Sequence, residues 1–295
     1  MTVGPADPAA FEVERAHLLR VGYRITGRLA DAEDAVQEAW LRYAAQDTAP
    51  DDLRAWLTTV VARLCLDRLR SSAARRERYV GPWLPEPLLT GDDPDDPLHA
   101  VVLHEDVRMA AMVVLERLSA PQRVAFVLHE ALALPYAEIA AVLDCPEPTA
   151  RQHAARARRI VAAAPVPPRP RTEEQQAALA AFADAMAHAD VRALLAVLHP
   201  DVVLVNDGGG EVAAARRPVV GAEKVARLLL GLLVRYGPGM LQGEVALVNG
   251  DLGLVTHDPA AVTVLTVDDG RIVGLHSVLN PAKIAPRTPR RSPGR

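Results

Sequence analysis

The last third of this 295-residue sequence contains residue types that are able to carry acid–base chemistry. Carboxylates and imidazoles are the side chains most often used as general acids and bases. No pair among them has a spacing that determines its mutual geometry, and a lone histidine is more often a structural residue than a base. The sequence therefore predicts no catalytic residue, although an enzyme stays open as an alternative that would use His199, Asp207, His257, Asp258 or His276.

Metal and redox chemistry have even less support. The two cysteines, Cys65 and Cys145, have no Cys/His ligand spacing around them, so they indicate neither a zinc site nor a disulfide framework. We expect no metal and no cofactor. The first residues lack a basic and then apolar leader, and no stretch reaches the ~18–20 apolar residues of a membrane span. These features predict a cytoplasmic protein with no membrane contact.

The region from Leu134 to Ile160 has the pattern of a helix-turn-helix. A short apolar helix, a tight turn at residues 144–146 and a basic second helix follow one another, and such a second helix reads base edges from its first turn. Residues further along the helix are better placed for phosphates. The alternative is a helical hairpin with a solvated basic face. The predicted DNA-binding residues are Thr149, Arg151, Gln152, His153, Arg156, Arg158 and Arg159.

A second basic helix is predicted over residues 53–78, where an apolar stripe gives way to arginines. Either it follows a DNA backbone, or it is a surface helix that runs into a basic linker. Two basic helices separated by a linker favour a DNA-binding protein with two contact points. The arginines in question are Arg63, Arg68, Arg70, Arg75 and Arg76.

A third candidate surface is the acidic and polar face of the helix predicted within residues 27–44, which lies opposite an apolar stripe. A solvated face is its simplest interpretation. Its residues are Asp31, Asp34, Gln37 and Glu38.

The elements that position these residues form two all-α domains followed by an α+β domain. Prolines and glycines interrupt the helical pattern over residues 79–99 and again over 165–170. After a helix predicted over 173–198, the β-rich runs and a second helix at about 221–233 indicate an α+β cone. Asp269-Gly270 is typical of a hairpin turn.

Two stretches of this sequence carry a family resemblance. LADAEDAVQEAWLR with RAWLTTVVARLCLDRLR resembles the sigma-2 domain of bacterial extracytoplasmic-function (ECF) sigma factors. LSAPQRVAFVLHEALALPYAEIAAVL with TARQHAARARR resembles their sigma-4 domain. The resemblance implies that the acidic face docks on the clamp helices in the largest subunit of core RNA polymerase. It also implies that helix 53–78 binds the −10 promoter element and that the helix-turn-helix binds the −35 element.

A narrower resemblance links three short motifs to the sigma J-like subgroup, whose members carry a SnoaL-like, NTF2-like C-terminal domain. The motifs are WLPEP, DGGG and NPAKI, with the residues Trp83, Leu84, Pro85, Glu86, Pro87, Asp207, Gly208, Gly209, Gly210, Asn280, Pro281 and Lys283. Family members usually read NPDKL at the last motif, so Ala282 and Ile284 depart from it. The resemblance implies that this domain contacts the sigma domains, including the WLPEP linker, and modulates their activity.

The resulting expectation is an ECF-type sigma factor that initiates transcription and catalyses no covalent chemistry. The expected organisation is sigma-2 at 11–78, an acidic Pro-rich linker at 79–106, sigma-4 at 107–164, a Pro-rich linker at 165–172, a SnoaL-like domain at 173–285 and a disordered basic tail at 286–295. The expected partners are core RNA polymerase and promoter DNA. A stand-alone helix-turn-helix regulator and an NTF2-like enzyme fused to a DNA-binding module stay open as alternatives.

Overall fold

The computed structural model describes residues 6–77, 79–90, 97–102, 104–130, 132–164 and 166–284, with side chains at all of these except 72–77 and 97. The chain divides into two compact units. The first unit contains Met1–Arg78, Pro97–Val107 and Ala111–Pro165, and the second contains Tyr79–Asp96, Arg108–Ala110 and Val166–Arg295. The segment that carries WLPEP therefore folds with the C-terminal domain. The predicted tail at 286–295 lies outside the described residues.

The first unit begins with three helices that pack on one another: α1 Pro8–Thr26, α2 Leu29–Ala44 and α3 Leu53–Glu77. The Asp7 side chain caps the start of α1 by accepting from the Ala9 N–H at 2.9 Å, and Gly27 ends the helix at a φ of 73°. Leu18, Tyr23 and Leu57 are fully buried between these helices. The apolar stripe of each helix thus faces a shared core, and the charged residues face outward.

Five further helices complete this part of the chain: α4 Pro97–Val102, α5 Met109–Leu115, α6 Ala120–Glu130, α7 Tyr136–Leu143 and α8 Glu147–Ala162, with a 3₁₀ turn at Glu105–Val107. Buried arginines join this segment to α1. Arg123, only 1% exposed, donates from Nε to the Arg24 carbonyl at 2.7 Å and pairs with Glu116 at 2.5 Å. Arg24 pairs in turn with Asp106 at 2.9 Å. Burial lowers the pKa of Arg24 to about 10, partly offset by Asp106.

The second unit is built on a seven-stranded sheet in the order β1-β4-β5-β6-β7-β2-β3. Only β2 and β7 are parallel neighbours; every other pair in this sheet is antiparallel. The strands are β1 Leu89–Thr90, β2 Leu198–Asp207, β3 Val219–Val220, β4 Gly243–Val248, β5 Asp251–His257, β6 Ala260–Asp268 and β7 Arg271–Val278. The helices are α9 Thr172–Ala187, α10 Val191–Val197, α11 Ala222–Tyr236 and α12 Pro281–Ile284, with a 3₁₀ turn at Pro238–Leu241.

Side chains from α9, α10 and α11 and from one face of the sheet form a common core. Leu194, Leu198, Val225 and Ile272 are fully buried in it. Asp269 and Gly270 form the β6–β7 turn with φ values of 46° and 68°, which confirms the predicted hairpin. The predicted class, helical domains followed by an α+β sheet domain, is confirmed.

The single helix predicted over residues 173–198 is wrong, because the structure has two helices there, α9 and α10. Ala189 adopts a left-handed φ of 51° after the end of α9. The Asp190 side chain then caps α10 by accepting from the N–H groups of Arg192 at 2.8 Å and Ala193 at 3.1 Å. Apolar periodicity continues across this break, so the periodicity alone does not reveal it.

Candidate functional site

The helix-turn-helix pattern is present as α7, a turn and α8. Asp144 ends α7 in a left-handed conformation with a φ of 53°, and α8 begins directly after Pro146. Ala150, Ala154 and Ala157 share the buried face of α8, which packs on α6 and α7. Their spacing turns the opposite face outward. On that face Arg151, Gln152, Arg156, Arg158 and Arg159 are exposed, and Thr149 and His153 are half-buried beside it.

Some cations of α8 are already engaged inside the protein. Arg151 pairs with Glu147 at 2.5 Å, and its guanidinium lies 4.8 Å from the centroid of the Tyr136 ring. Arg158 pairs with Glu130 at 2.7 Å. Arg156 and Arg159 make no ion pair or hydrogen bond within the described part of the chain. Burial lowers the pKa of His153, and the nearby Arg156 lowers it further.

The arginines predicted for the second DNA contact lie along α3. Arg63 donates to the Ala141 carbonyl on α7 at 2.9 Å, so this side chain is held against the helix-turn-helix. Arg68 lies 3.7 Å from the Asp34 carboxylate, and Arg70 lies 3.9 Å from Asp67. The side chains of Arg75 and Arg76 lie outside the described residues. In this arrangement α3 is partly covered by the domain that follows it.

The acidic face of α2 is available to a partner. Asp34 and Gln37 are exposed, and Asp31 and Glu38 are half-buried. Glu38 pairs with Arg42 one turn later at 3.1 Å. The opposite face of α2 is buried through Ala32, Ala35, Val36 and Ala39.

The three short motifs meet around the side chain of Asp207, at the end of β2. The carboxylate accepts hydrogen bonds from the Leu84 N–H at 2.8 Å and from the Gly209 N–H at 3.1 Å, and the Tyr79 hydroxyl donates to it as well. Lys283 Nζ lies 2.7 Å from the same carboxylate. Asp207 is fully buried. We call this group the linker cluster: Tyr79, Trp83, Leu84, Asp207, Asn280 and Lys283.

Lys283 is the cation of the linker cluster and is only 2% exposed. Its ammonium donates to Asp207 and to the Leu84 carbonyl, and lies 3.2 Å from the centroid of the Trp83 ring. Asn280 donates to the Tyr79 hydroxyl at 2.8 Å. Every polar group named here thus has a partner, as a buried charge requires.

The glycine run shapes the approach to the linker cluster. Gly209 and Gly210 have φ values of 67° and 81°, a left-handed conformation that lets the chain turn tightly here. A Cβ on Gly209 would lie 2.6 Å from the Asn280 side chain, and one on Gly208 would lie 2.4 Å from the Val212 carbonyl oxygen. No side chain larger than hydrogen fits these two positions without rearrangement.

The remaining motif residues divide between buried and exposed positions. Pro85, Glu86 and Pro87 are buried, whereas Pro281 and Ala282 are exposed. The Asp that relatives carry at position 282 would therefore lie at the surface, away from the linker cluster. Ile284 is buried and apolar, like the Leu that it replaces.

The sequence analysis missed two further contacts of the same segment. The side-chain oxygen of Asn249 accepts from the Leu88 N–H at 3.0 Å, and its own N–H donates to the Leu88 carbonyl at 2.8 Å. Leu89–Thr90 then pairs with β4 as an added strand. Asn249-Gly250 is a turn signal between two strands, but nothing in the sequence says which chain segment its side chain binds.

A second buried ion group was also missed. Arg108 Nε lies 2.9 Å from Asp251, Arg169 pairs with the same carboxylate at 3.2 Å, and Arg108 donates to the Pro167 carbonyl at 2.7 Å. Arg108 and Asp251 are each 1% exposed. Burial raises the pKa of Asp251, although the two arginines act against this shift.

A largely apolar cavity of about 340 Å³ lies between α9, α11 and the sheet. Leu179, Phe182 and Leu229 are among its lining residues. None of the five candidate acid–base residues lines it, because strand alternation turns Asp207 and His276 to the other face. Burial lowers the pKa of His276 to about 4. In the described part of the chain, no cluster of three His, Cys, Asp or Glu residues is able to hold a metal, and no helix is long and apolar enough to cross a membrane.

Comparison with known proteins identifies both helical regions. The family model for sigma-70 region 2 matches residues 11–75, and the model for sigma-70 region 4 matches residues 108–161. The regions contain α1–α3 and α5–α8, respectively. The resemblance seen in the sequence is thus confirmed for both helical domains.

Relatives extend the match through the C-terminal domain. The ECF RNA polymerase sigma factor SigJ of Mycobacterium tuberculosis is 50% identical over 292 residues, which cover 94% of this chain and 93% of that protein. The probable ECF sigma factor SigI of the same species is 33% identical over 290 residues, covering 95% of this chain and 96% of that protein. The crystal structure of M. tuberculosis SigJ has a TM-score of 0.80 at 46% identity and covers 95% of this chain and 98% of that one. The chain belongs to the ECF RNA polymerase sigma factors and resembles SigJ along almost its whole length.

Proposed function

We propose that this sigma factor is regulated by its own C-terminal domain, which holds the linker segment through the linker cluster. The observation that carries the proposal is the buried Asp207–Lys283 pair, whose two members bind the N–H and the carbonyl of the same linker residue, Leu84. A displaced linker would take the Leu84 N–H away from Asp207 and the Leu84 carbonyl away from Lys283, and would leave the buried pair with fewer hydrogen bonds than it has here, so the pair favours one position of the linker. The C-terminal domain therefore takes the place of a separate regulatory protein.

Core polymerase binds, in this proposal, to the acidic face of α2. Asp34 and Gln37 are exposed there and face away from the buried stripe of the helix. The clamp helices of the largest polymerase subunit would be the docking site. An Asp34→Lys variant should lose affinity for core polymerase, whereas Glu173→Lys, an exposed acid on α9, should keep it. Equal affinity of the two variants would contradict this assignment.

Promoter DNA is contacted by α8 at the −35 element and by α3 at the −10 element. The leading turn of α8 presents Thr149, Arg151, Gln152 and His153, which we assign to base reading. Arg156, Arg158 and Arg159 lie further along and are assigned to phosphates. Because Arg63 donates to the Ala141 carbonyl on α7, a DNA contact by this side chain requires that the hydrogen bond be broken.

The protein would perform no covalent chemistry. The cavity of the C-terminal domain, where an enzyme of this architecture would bind substrate, is lined by no carboxylate and no imidazole within the described residues. Binding and release of the linker are sufficient for a regulatory domain. Single-turnover chemistry that depends on Asp207 or a histidine would contradict this.

In-vitro transcription with purified core polymerase tests the regulatory role. We compare the full chain with Asp207→Asn, which removes the anion, and with Asp201→Asn, an exposed acid on the same strand. The first variant should change the transcript yield by about fivefold or more, the range of ordinary coupling between sites, with core affinity unchanged. The second variant should behave like the parent. A yield that is equal in all three chains would contradict the proposal.

A further inference from the structure

We propose that the cavity of the C-terminal domain binds a neutral, mostly apolar small molecule that carries one hydrogen-bonding group. The volume of about 340 Å³ lies within the usual range of small-molecule sites. Apolar walls of this kind come from Leu, Phe and Met side chains on α9 and α11 and on the strands. Such a surface gains free energy when an apolar molecule replaces water.

One polar band crosses the apolar floor of this cavity. Asn206 on β2, Ser277 on β7 and Thr263 on β6 stand opposite one another in the strand register, and all three line the cavity. The Ser277 and Thr263 hydroxyls lie 3.0 Å apart and hydrogen-bond to each other. The band therefore offers donors and acceptors at one defined place.

Asn206 is the member of the band that lacks a partner. Asn206 is only 8% exposed, and no hydrogen bond joins its carboxamide to another residue that the structure describes. An amide that is largely withdrawn from bulk water gains free energy when a bound molecule supplies the hydrogen bonds that the protein does not. A polar amide on the wall of a largely apolar cavity has the arrangement of a ligand-orienting group.

The charge distribution excludes an ionic ligand from the interior. Arg235 and Tyr236 are the only ionisable residues among those that line the cavity in the described part of the chain. Both are exposed, and the Arg235 guanidinium lies 5.4 Å from the centroid of the Tyr236 ring. An anion or cation inside would be desolvated without a counter-charge, which is unfavourable. The polar group of the ligand is therefore a neutral hydroxyl, carbonyl or amide beside Asn206.

One wall of the cavity also contacts the linker segment. Val212, Ala213, Ala214 and Ala215 line the cavity directly after the glycine turn. A Cβ on Gly210 would lie 3.3 Å from Val80 Cβ, and one on Gly81 would lie 3.7 Å from Arg216 Cα. A bound molecule would thus press on the loop that touches residues 80–81. This regulatory step rests on the proposed function, whereas ligand binding does not.

Binding is tested on the full chain with the fluorescent probe N-phenyl-1-naphthylamine, which is neutral and carries a single N–H donor. Its fluorescence should rise to saturation at one probe per chain. Leu232→Trp, which fills the cavity from α11, should abolish the rise, and Val234→Trp on the exposed side of the same helix should preserve it. A chain that shows no saturable signal, or a signal that Leu232→Trp leaves intact, would overturn the proposal. Circular dichroism and thermal unfolding confirm that each variant folds.

Competition then tests the chemistry of the ligand. 1-Naphthol should displace the probe about three- to tenfold more tightly than naphthalene, the value expected for one neutral hydrogen bond. 1-Naphthoate should not compete. In Asn206→Leu the advantage of 1-naphthol should disappear while naphthalene competes as before. Displacement by 1-naphthoate as strong as that by 1-naphthol, or an advantage of 1-naphthol that survives in Asn206→Leu, would overturn the assignment of the polar group.

The regulatory step has its own readout. Saturating 1-naphthol should change the transcript yield of the parent chain and leave that of Leu232→Trp unchanged. If 1-naphthol binds and the yield stays constant, the regulatory step is wrong and the binding site stands. The proposed function fails separately, only when Asp207→Asn also leaves the yield unchanged.

Discussion

Helix α8, the second helix of the helix-turn-helix, and the linker cluster use the same kind of ion pair in opposite surroundings. Arg151 and Glu147 are exposed and lie one helical turn apart, and the Arg151 guanidinium lies over the Tyr136 ring. Asp207 and Lys283 are 0% and 2% exposed and come from positions 76 residues apart in the sequence. Water screens the first pair and leaves its charges accessible to other partners. The second pair is removed from water, so its members depend on each other.

This comparison separates recognition from architecture. An exposed charge can change partner at little cost, which suits a side chain that must exchange a glutamate for a base or a phosphate. A buried charge is costly to uncover, which suits a contact that holds one chain segment in one place.

Asp207→Asn should lower the unfolding free energy of the second unit by about 3–5 kcal/mol, because it leaves the Lys283 ammonium buried without its anion. Denaturant unfolding followed by tryptophan fluorescence measures this change. Asp201→Asn on the same strand should shift stability by less than about 0.5 kcal/mol. The double variant Asp207→Leu with Lys283→Met should be more stable than Asp207→Asn. If the double variant were the less stable of the two, burial of the charge would not be the cause.

Stability should fall as the pH is lowered from about 6.5 to about 4. Burial lowers the pKa of His276 to about 4 in the folded protein, whereas in the unfolded chain it titrates near 6.5. Between these two pH values the unfolded chain binds a proton at His276 that the folded protein does not bind. The contribution of neutral His276 to the unfolding free energy is therefore fully present above pH 6.5 and is lost as the pH falls. The decrease in unfolding free energy that is due to His276 should reach about 3 kcal/mol.

Unfolding midpoints across this pH range measure the His276 contribution as a difference between chains. His276→Phe should remove that part of the slope, and His257→Phe, at an exposed position, should retain it. Parallel curves for the parent chain and His276→Phe would contradict this prediction, because they would show that His276 has the same pKa in the folded and the unfolded protein.

Arg151→Ala should cost about 1–3 kcal/mol of discrimination between promoter sequences if its guanidinium leaves Glu147 to read a base. This free-energy difference is measured by letting promoters with different −35 sequences compete for open-complex formation. Arg158→Ala, at the Glu130-bound arginine, should weaken binding to all sequences alike and reduce the salt slope by about one. If Arg158→Ala lost discrimination between sequences and Arg151→Ala kept it, Arg158 would be the base-reading residue and Arg151 the phosphate contact.

Glu147→Ala should have the smallest effect on stability, below about 0.5 kcal/mol, because exposed helix pairs contribute little. Thermal unfolding of the first unit measures it. A loss of more than about 2 kcal/mol would show that this pair is structural, and the contrast with Asp207→Asn would then disappear.

Much of the fold was predictable because its signals are local. The stripes of α2 and α3, the turn at residues 144–146 and the Asp269-Gly270 hairpin each follow from neighbouring residues. The break between α9 and α10 at Ala189 and Asp190 was not predictable, because Asp190, which caps α10, lies within a stretch of continuous apolar periodicity. Tyr79, Asn249 and the Arg108–Asp251 pair were missed for a different reason: no short-range pattern states which distant group a polar side chain will bind.

The sequence by itself determined the family, the order of the domains and the positive charge of α3 and α8, because each depends on residues within a few turns of one another. The three motifs around residues 83–87, 207–210 and 280–284 were also visible, through family resemblance. Only the tertiary structure decided that they meet on one carboxylate. It also decided that Asn206 faces the cavity while Asp207 faces the linker, because adjacent residues of a strand point to opposite sides of the sheet.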